Sequence, residues 1–306
     1  MSQEDDPRAR FGPIVDPHFH LWSLRENRYP WLQDDPPIPF RYGDYSALRE
    51  HDFLPEDYRR CWDGWRVSHA VAVEAEWDRR DPVGETRWIS RMAEESGLPS
   101  AFVAYAPLNA PELDTILAEH VRYPLVRGIR HKPVVSAGAI RGTSLLNDPA
   151  WQRGFGLLAQ YGLHFELQAP HEFMRDAAML FSAHPDVPVV VNHAGLPVDR
   201  SRHGLARWRR DMEELAGVDH VSIKISGLGG SNGSWECGSN RTVVQMLIDV
   251  FGVRRCMFAS NYPVDSLCAG FSSIFDCFAR ATAEFSNEYR RFLFHDNAMR
   301  IYRIAG

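Results

Sequence analysis

The chain of 306 residues predicts an α/β fold, a single (β/α)8 barrel of the TIM type with a long aromatic-rich loop after the first strand. Two observations lead there. Short apolar or alternating runs recur eight times, and amphipathic stretches of helical period separate most of them. The runner-up, a doubly wound open sheet, lacks its usual mark: no GxGxxG follows the first run, and Gly227-Leu228-Gly229-Gly230 comes far too late to be one.

The eight strand candidates, in order, are Ile14–Trp22, Val71–Trp77, Ser100–Leu108, Val126–Pro133, Leu163–Pro170, Val187–Gly195, His220–Leu228 and Cys256–Asp265. Helical periodicity marks Glu85–Ser96, Glu112–His120, Pro149–Tyr161, His171–His184, Leu205–Ala216 and Arg241–Phe251. Residues 23–66, with Trp31, Tyr42, Tyr45, Trp62 and Trp65, exceed an ordinary connection and are too aromatic for disorder, which predicts a wall or lid over the barrel mouth. Residues 229–240, rich in Gly, Ser and Asn, read as a mobile flap. No composition break marks a linker, so the expectation is one domain over 13–306 behind a disordered tail at 1–12.

Composition excludes several classes. At 44% hydrophobic and 24% charged the chain reads as globular, and 34 basic residues against 40 acidic argue against nucleic-acid and anionic-membrane partners. A small-molecule substrate is the expected partner. A homo-oligomer is compatible with apolar outer helices, and the stoichiometry stays open. Five cysteines without a CxxC pair suggest neither a disulfide framework nor a thiolate zinc site. With no leading apolar segment, that reads as a cytoplasmic protein.

Alternation along barrel strands nominates the site, because side chains near the strands' C-terminal ends reach the active face. Asp16, His18 and His20 share a face of the first strand; His-x-His there suits one divalent ion or two imidazoles on one substrate. Glu74 and Glu76 follow on the second, and Arg130 and Lys132 on the fourth. His164, Glu166 and Gln168 alternate on the fifth, with His164 at the wrong end for chemistry. The sixth ends in His193, the seventh carries Ser222, Lys224 and Ser226, and the eighth ends in Asn261 and then Asp265. Inward charges must be paired or used. Lys224 pairing Glu166 or Glu74 would neutralise the deeper layer.

The segments Val15-Asp16-Pro17-His18-Phe19-His20-Leu21-Trp22, Val126-Arg127-Gly128-Ile129-Arg130, Val191-Asn192-His193-Ala194-Gly195, Ile223-Lys224-Ile225-Ser226-Gly227 and Met257-Phe258-Ala259-Ser260-Asn261-Tyr262-Pro263 fall in one order. In that order the chain resembles the amidohydrolase superfamily, in particular the amidohydrolase-2 branch that includes sugar-acid lactonases and 2-pyrone-4,6-dicarboxylate lactonase. The resemblance implies a lactone-opening hydrolase. Metal-dependent members add a histidine on the fifth strand and an aspartate ending the eighth, and here those places hold Gln168 and Asn261. The expectation is therefore that no metal is required, with a zinc ion held weakly by His18 and His20 as the alternative. Asn261 cannot serve as a base, so Asp265 is expected to activate water with Asn261 orienting it. His18, His20 and His193 would polarise the carbonyl, Arg130 would grip a carboxylate or carbonyl oxygen, and Gln168 and Ser226 would complete the binding set. Trp22, Trp31 and Tyr262 would wall the pocket. A metal-dependent decarboxylase of the same branch and a ligand-binding barrel without catalysis are the alternatives.

Overall fold

The structure is a computed structural model that describes residues 8, 11–134 and 144–306. Eight parallel strands, β1 (Ile14–Phe19), β2 (Val67–Val73), β3 (Ala101–Tyr105), β4 (Val126–Arg130), β5 (His164–Leu167), β6 (Val189–Val191), β7 (Val221–Ile225) and β8 (Cys256–Phe258), pair in sequence order around a nearly closed barrel. Register is set in runs such as Val71↔Ala101, Ile129↔Phe165 and Lys224↔Met257. The seam between β8 and β1 is closed by a Phe19–Tyr262 bridge, by the Asn261 amide donating to the His18 carbonyl (2.8 Å) and by the His20 amide donating to the Tyr262 carbonyl (2.7 Å). Asp16 pins the same seam, accepting from the Ser260 amide (2.9 Å) and the Tyr58 hydroxyl (2.7 Å).

Helices Gly84–Ser96, Leu113–His120, Pro149–Leu157, Met174–Ser182, Arg202–Ala216, Cys237–Phe251 and Phe271–Ala281 follow β2 to β8 in turn. Their starts carry the expected chemistry where it is needed. Asp148 caps the Ala150 amide ahead of Pro149, and the Ser201 hydroxyl accepts from the Gly204 amide. The main core lies between the strands' outer faces and these helices. A second apolar layer, including Val15, Val71, Val103, Val190 and Met257, fills the barrel interior against Ala298 and Tyr302.

Several expectations change in detail. β2 begins at Val67, earlier than the predicted Val71, because Ser68 and His69 occupy the half-exposed end of the strand, where apolar patterning does not apply. Every predicted run extends past its observed strand; the last residues are loops or, at His193–Gly195 and Val264–Leu267, single 3-10 turns. Residues 229–240 hold a tight turn, with the Gly230 amide donating to the Ser234 carbonyl, and the next helix starts at Cys237. Cysteine parity misled: Cys237 and Cys277 form a disulfide, because the helices that bear them pack side by side, 40 residues apart in sequence. Of the tail expected over 1–12, residues 1–7, 9 and 10 lie outside the described residues. Arg8 pairs with Asp276 (2.8 Å), and Phe11 packs on Trp65 and Phe294.

The loop after β1 is built from three short helices, Pro30–Gln33, Ser46–Arg49 and Pro55–Arg60. Its aromatic side chains stack on one another, Trp31 on Phe40 and Tyr45 at 5.8 and 5.7 Å between centroids. No helix among the described residues is long and apolar enough to cross a membrane.

Candidate active site

A cavity of about 690 Å³ opens at the C-terminal ends of the strands. Its lining comes from successive strand ends: His20 after β1, Glu76 after β2, Tyr105 on β3, Arg130, His131 and Lys132 at β4, Gln168 after β5, His193 after β6, and Asn261 after β8. The long loop contributes Trp31, Ile38, Phe40 and Arg41. Barrel geometry accounts for this convergence, since only strand ends point their side chains at a common mouth.

Below the cavity lies a buried charge network. Lys224 and Glu166 are fully buried and joined at 2.7 Å, one of the two pairings foreseen; Glu74 is instead taken by Arg130, whose Nε donates to it at 2.7 Å. Glu166 also accepts from the Tyr302 hydroxyl (2.6 Å) and the Asn192 amide (2.8 Å). Burial opposes its charge, yet Lys224 and His164 hold its carboxyl below the usual range. Burial pushes the Lys224 ammonium down to about 8, with Glu166 opposing the shift. His164 packs against Tyr302 beneath this network, away from the cavity, as expected.

The histidines are ordered by that network. Lys224 Nζ lies 3.3 Å from His18 Nδ1, and an ammonium can only donate, so the His18 proton sits on Nε2. His18 Nε2 then donates to His20 Nε2 (3.3 Å), while His20 Nδ1 donates to the Val73 carbonyl (2.8 Å). His193 packs beside His18 with its ring tilted, 4.6 Å between ring centroids, and its Nδ1 meets the Ser226 hydroxyl at 3.0 Å. Nε2 of His193 is thereby left without a protein partner among the described residues. Burial, reinforced by nearby Arg130 and Lys224, holds the imidazoles of His18 and His193 well below 6.5, and burial with Arg130 takes His20 to about 3, so all three are neutral near pH 7.

The remaining expected residues divide. Arg130 and Gln168 line the cavity and bond to each other (3.1 Å), while Ser226 stands behind His193. Trp31 lines the cavity, whereas Trp22 and Tyr262 are buried behind the lining, Trp22 against Trp31 and Tyr262 against Phe271. Asp265 is also absent from the lining: fully buried, it accepts from Asn261 Nδ2 (2.7 Å) and the Tyr42 hydroxyl (2.8 Å), and burial pushes its carboxyl up to about 6. With its amide nitrogen spent on Asp265, Asn261 keeps a carbonyl oxygen that can accept from water. Arg41, Arg79 and His131 were not singled out as site residues from the sequence. Arg41 and Arg79 are loop residues in a chain crowded with arginine, and nothing in the pattern separates them from the rest.

His18 and His20 place their Nε2 atoms at the spacing of two ligands on one tetrahedral ion with bonds of about 2.0–2.1 Å. No third ligand joins them among the described residues. No group of three or more His, Cys, Asp or Glu side chains converges as a ligand set among the described residues, Gln168 and Asn261 are neutral amides, and the Lys224 ammonium abuts His18. Such a donor set does not fit a resident catalytic zinc.

Comparison with known proteins agrees with this architecture. An uncharacterised protein of Sinorhizobium fredii is 38% identical over 297 residues, covering 95% of this chain and 98% of that one. An L-fucono-1,5-lactonase of Burkholderia multivorans is 28% identical over 302 residues, covering 95% and 96%. The crystal structure of an amidohydrolase from Burkholderia multivorans with bound zinc superposes with a TM-score of 0.81 at 25% identity, covering 96% of this chain and all of the other. The amidohydrolase family model matches residues 15–304, from the first barrel strand to the last helix, and the chain belongs to that family.

Proposed function

We propose that the protein is a hydrolase that opens a lactone or related cyclic ester of a small hydroxylated or carboxylated acid. The observation that carries this reading is the convergence of a neutral imidazole, a water-accepting amide oxygen and fixed cations on one cavity: His193, Asn261, Arg130 and Lys132. Lactonase relatives at modest identity support it.

In this reading water sits between Asn261 and His193. His193 Nε2 takes its proton as oxygen attacks the ring carbonyl, and the Ser226 hydroxyl keeps the imidazole oriented. Negative charge then develops on the carbonyl oxygen, where Arg130 and Lys132, held by Glu74 and Glu76, stabilise it without having to reorganise. Collapse of the tetrahedral intermediate breaks the ring carbon–oxygen bond, and the proton on His193 passes to the leaving alkoxide. Asp265 acts through Asn261 as a positioning residue. His20 reaches the cavity floor, whereas His18, expected to polarise the carbonyl, is fully buried beneath it and acts through His20, fixed from below by Lys224. No resident metal enters the reaction.

The test is a panel of sugar-acid and pyrone lactones assayed by proton release, with and without chelation. Ring opening that survives chelation and falls about 100-fold or more in His193→Gln is expected. Ring opening lost on chelation, together with near-stoichiometric zinc in the purified protein, overturns the metal-free mechanism in favour of a metal-dependent hydrolase; stoichiometric metal with no ring opening of any lactone favours the metal-dependent decarboxylase.

A further inference from the structure

The cavity's charges do not balance. Arg41, Arg79, Arg130 and Lys132 line it against one lining carboxylate, Glu76, with Glu74 just beneath. Three of the cations have acidic partners: Arg79 meets Glu74 (3.2 Å) and Glu76, Arg130 meets Glu74, and Lys132 meets Glu76.

Arg41 forms no salt bridge among the described residues, although the buried carboxyl of Asp265 lies near enough to feel its charge. Its Nη2 donates to the backbone carbonyls of Gly227 (3.0 Å) and Gly229 (3.4 Å), and its guanidinium lies over the Tyr42 ring at 4.7 Å. Arg200 approaches the same segment from the loop after β6. Its Nη2 donates to the Leu228 carbonyl (3.4 Å), and its Nη1 is sealed from solvent with no hydrogen-bond partner. Burial and the neighbouring Arg41 push Arg200 down to about 10. Two guanidinium groups thus share one short stretch of backbone, and neither is in a salt bridge among the described residues. Such an arrangement is costly in an isolated protein, and an incoming anion would offset that cost.

We propose that Arg41, backed by Arg200, is a subsite for a free carboxylate on the substrate, so that the lactone carries a second, unlactonised carboxyl group. This deepens the lactonase reading and rests on it. A guanidinium matches a carboxylate through two parallel N–H donors, and Arg41 has donors to spare beyond the two carbonyls it holds. Its charge is also felt at His193, which sets the subsite beside the water-activating end of the cavity.

The experiment compares glucarolactone, which bears a free carboxylate, with the neutral gluconolactone, in wild type, Arg41→Gln and Arg41→Lys. Calorimetric titration of each full-length protein with glutarate measures anion binding without turnover. In Arg41→Gln the preference for the carboxylated lactone in kcat/KM is expected to fall about 10- to 100-fold, through KM, with glutarate affinity falling alongside. Arg41→Lys is expected to restore part of both. Equal changes for the two lactones, or unchanged glutarate affinity, overturn the proposal. Relief of product inhibition with unchanged preference also overturns it, by assigning the pair to the ring-opened product. If wild type opens neither lactone but Arg41→Gln still loses glutarate, the lactonase reading fails and the anion subsite stands.

Discussion

Asp265 shows how burial changes what a residue can do. From spacing it is the nearest carboxylate to Asn261, and only packing shows that it is enclosed by Asn261 and Tyr42. Its carboxyl rises from 3.8 to about 6, so between those values the folded protein holds a proton that the unfolded chain releases. Stability is therefore lost as pH rises through that window, by up to about 3 kcal/mol once the buried charge is complete. Asp265→Asn keeps the shape and removes the charge. Urea midpoints should show the variant gaining on wild type at pH 7.5 relative to pH 4.5; a constant difference would mean that Asp265 titrates normally. The sequence singled out His18, His20, His193 and Arg130 because they end strands. Arg41 and Arg200 carry no such mark.

At the level of elements, the strand-to-loop transitions make the site. His193, Ala194, Gly195 and Leu196 all have positive φ, from 51° to 63°, a tight left-handed run that turns the chain off β6 just where the imidazole enters the cavity. Gly227, just past β7 at φ 61°, permits this: a Cβ there would stand 2.9 Å from three His193 side-chain atoms. Gly227→Ala is expected to displace the imidazole and lower kcat about 10- to 100-fold while the barrel still folds. Circular dichroism and a melting curve beside the kinetics check this; full activity in a folded variant would separate His193 placement from catalysis. Asn261 and Glu76 also have positive φ, at 56° and 60°. These turns explain why the predicted strands ran long. Apolar alternation continues through residues such as Val191-Asn192-His193, and only backbone torsion shows where the ladder stops.

For the whole molecule, charge is divided unevenly. The chain carries a formal net charge of −6, yet its cavity is cationic, so the fields that an anionic substrate meets far from the protein and inside the mouth differ in sign. Added salt largely screens exposed charges more than about 10 Å apart at 0.1 M. KM for a carboxylated lactone is therefore expected to rise several-fold between low and 0.3 M salt, with a smaller change for a neutral one; matching salt profiles would argue against a charged substrate. The sequence by itself determined the eight-strand barrel, the strand ends expected to bear the site, and the pairing of Lys224 with a buried glutamate, Glu166 or Glu74; the structure chose Glu166. Alternation and burial cost are local properties of a strand and can be read from its residues. Tertiary structure alone decided which side chains reach the cavity and which stand behind it, the union of Cys237 with Cys277, and the meeting of Arg41 with Arg200 on the Gly227–Gly229 backbone. Those contacts join loops and helices far apart in the chain, and no period or spacing encodes them.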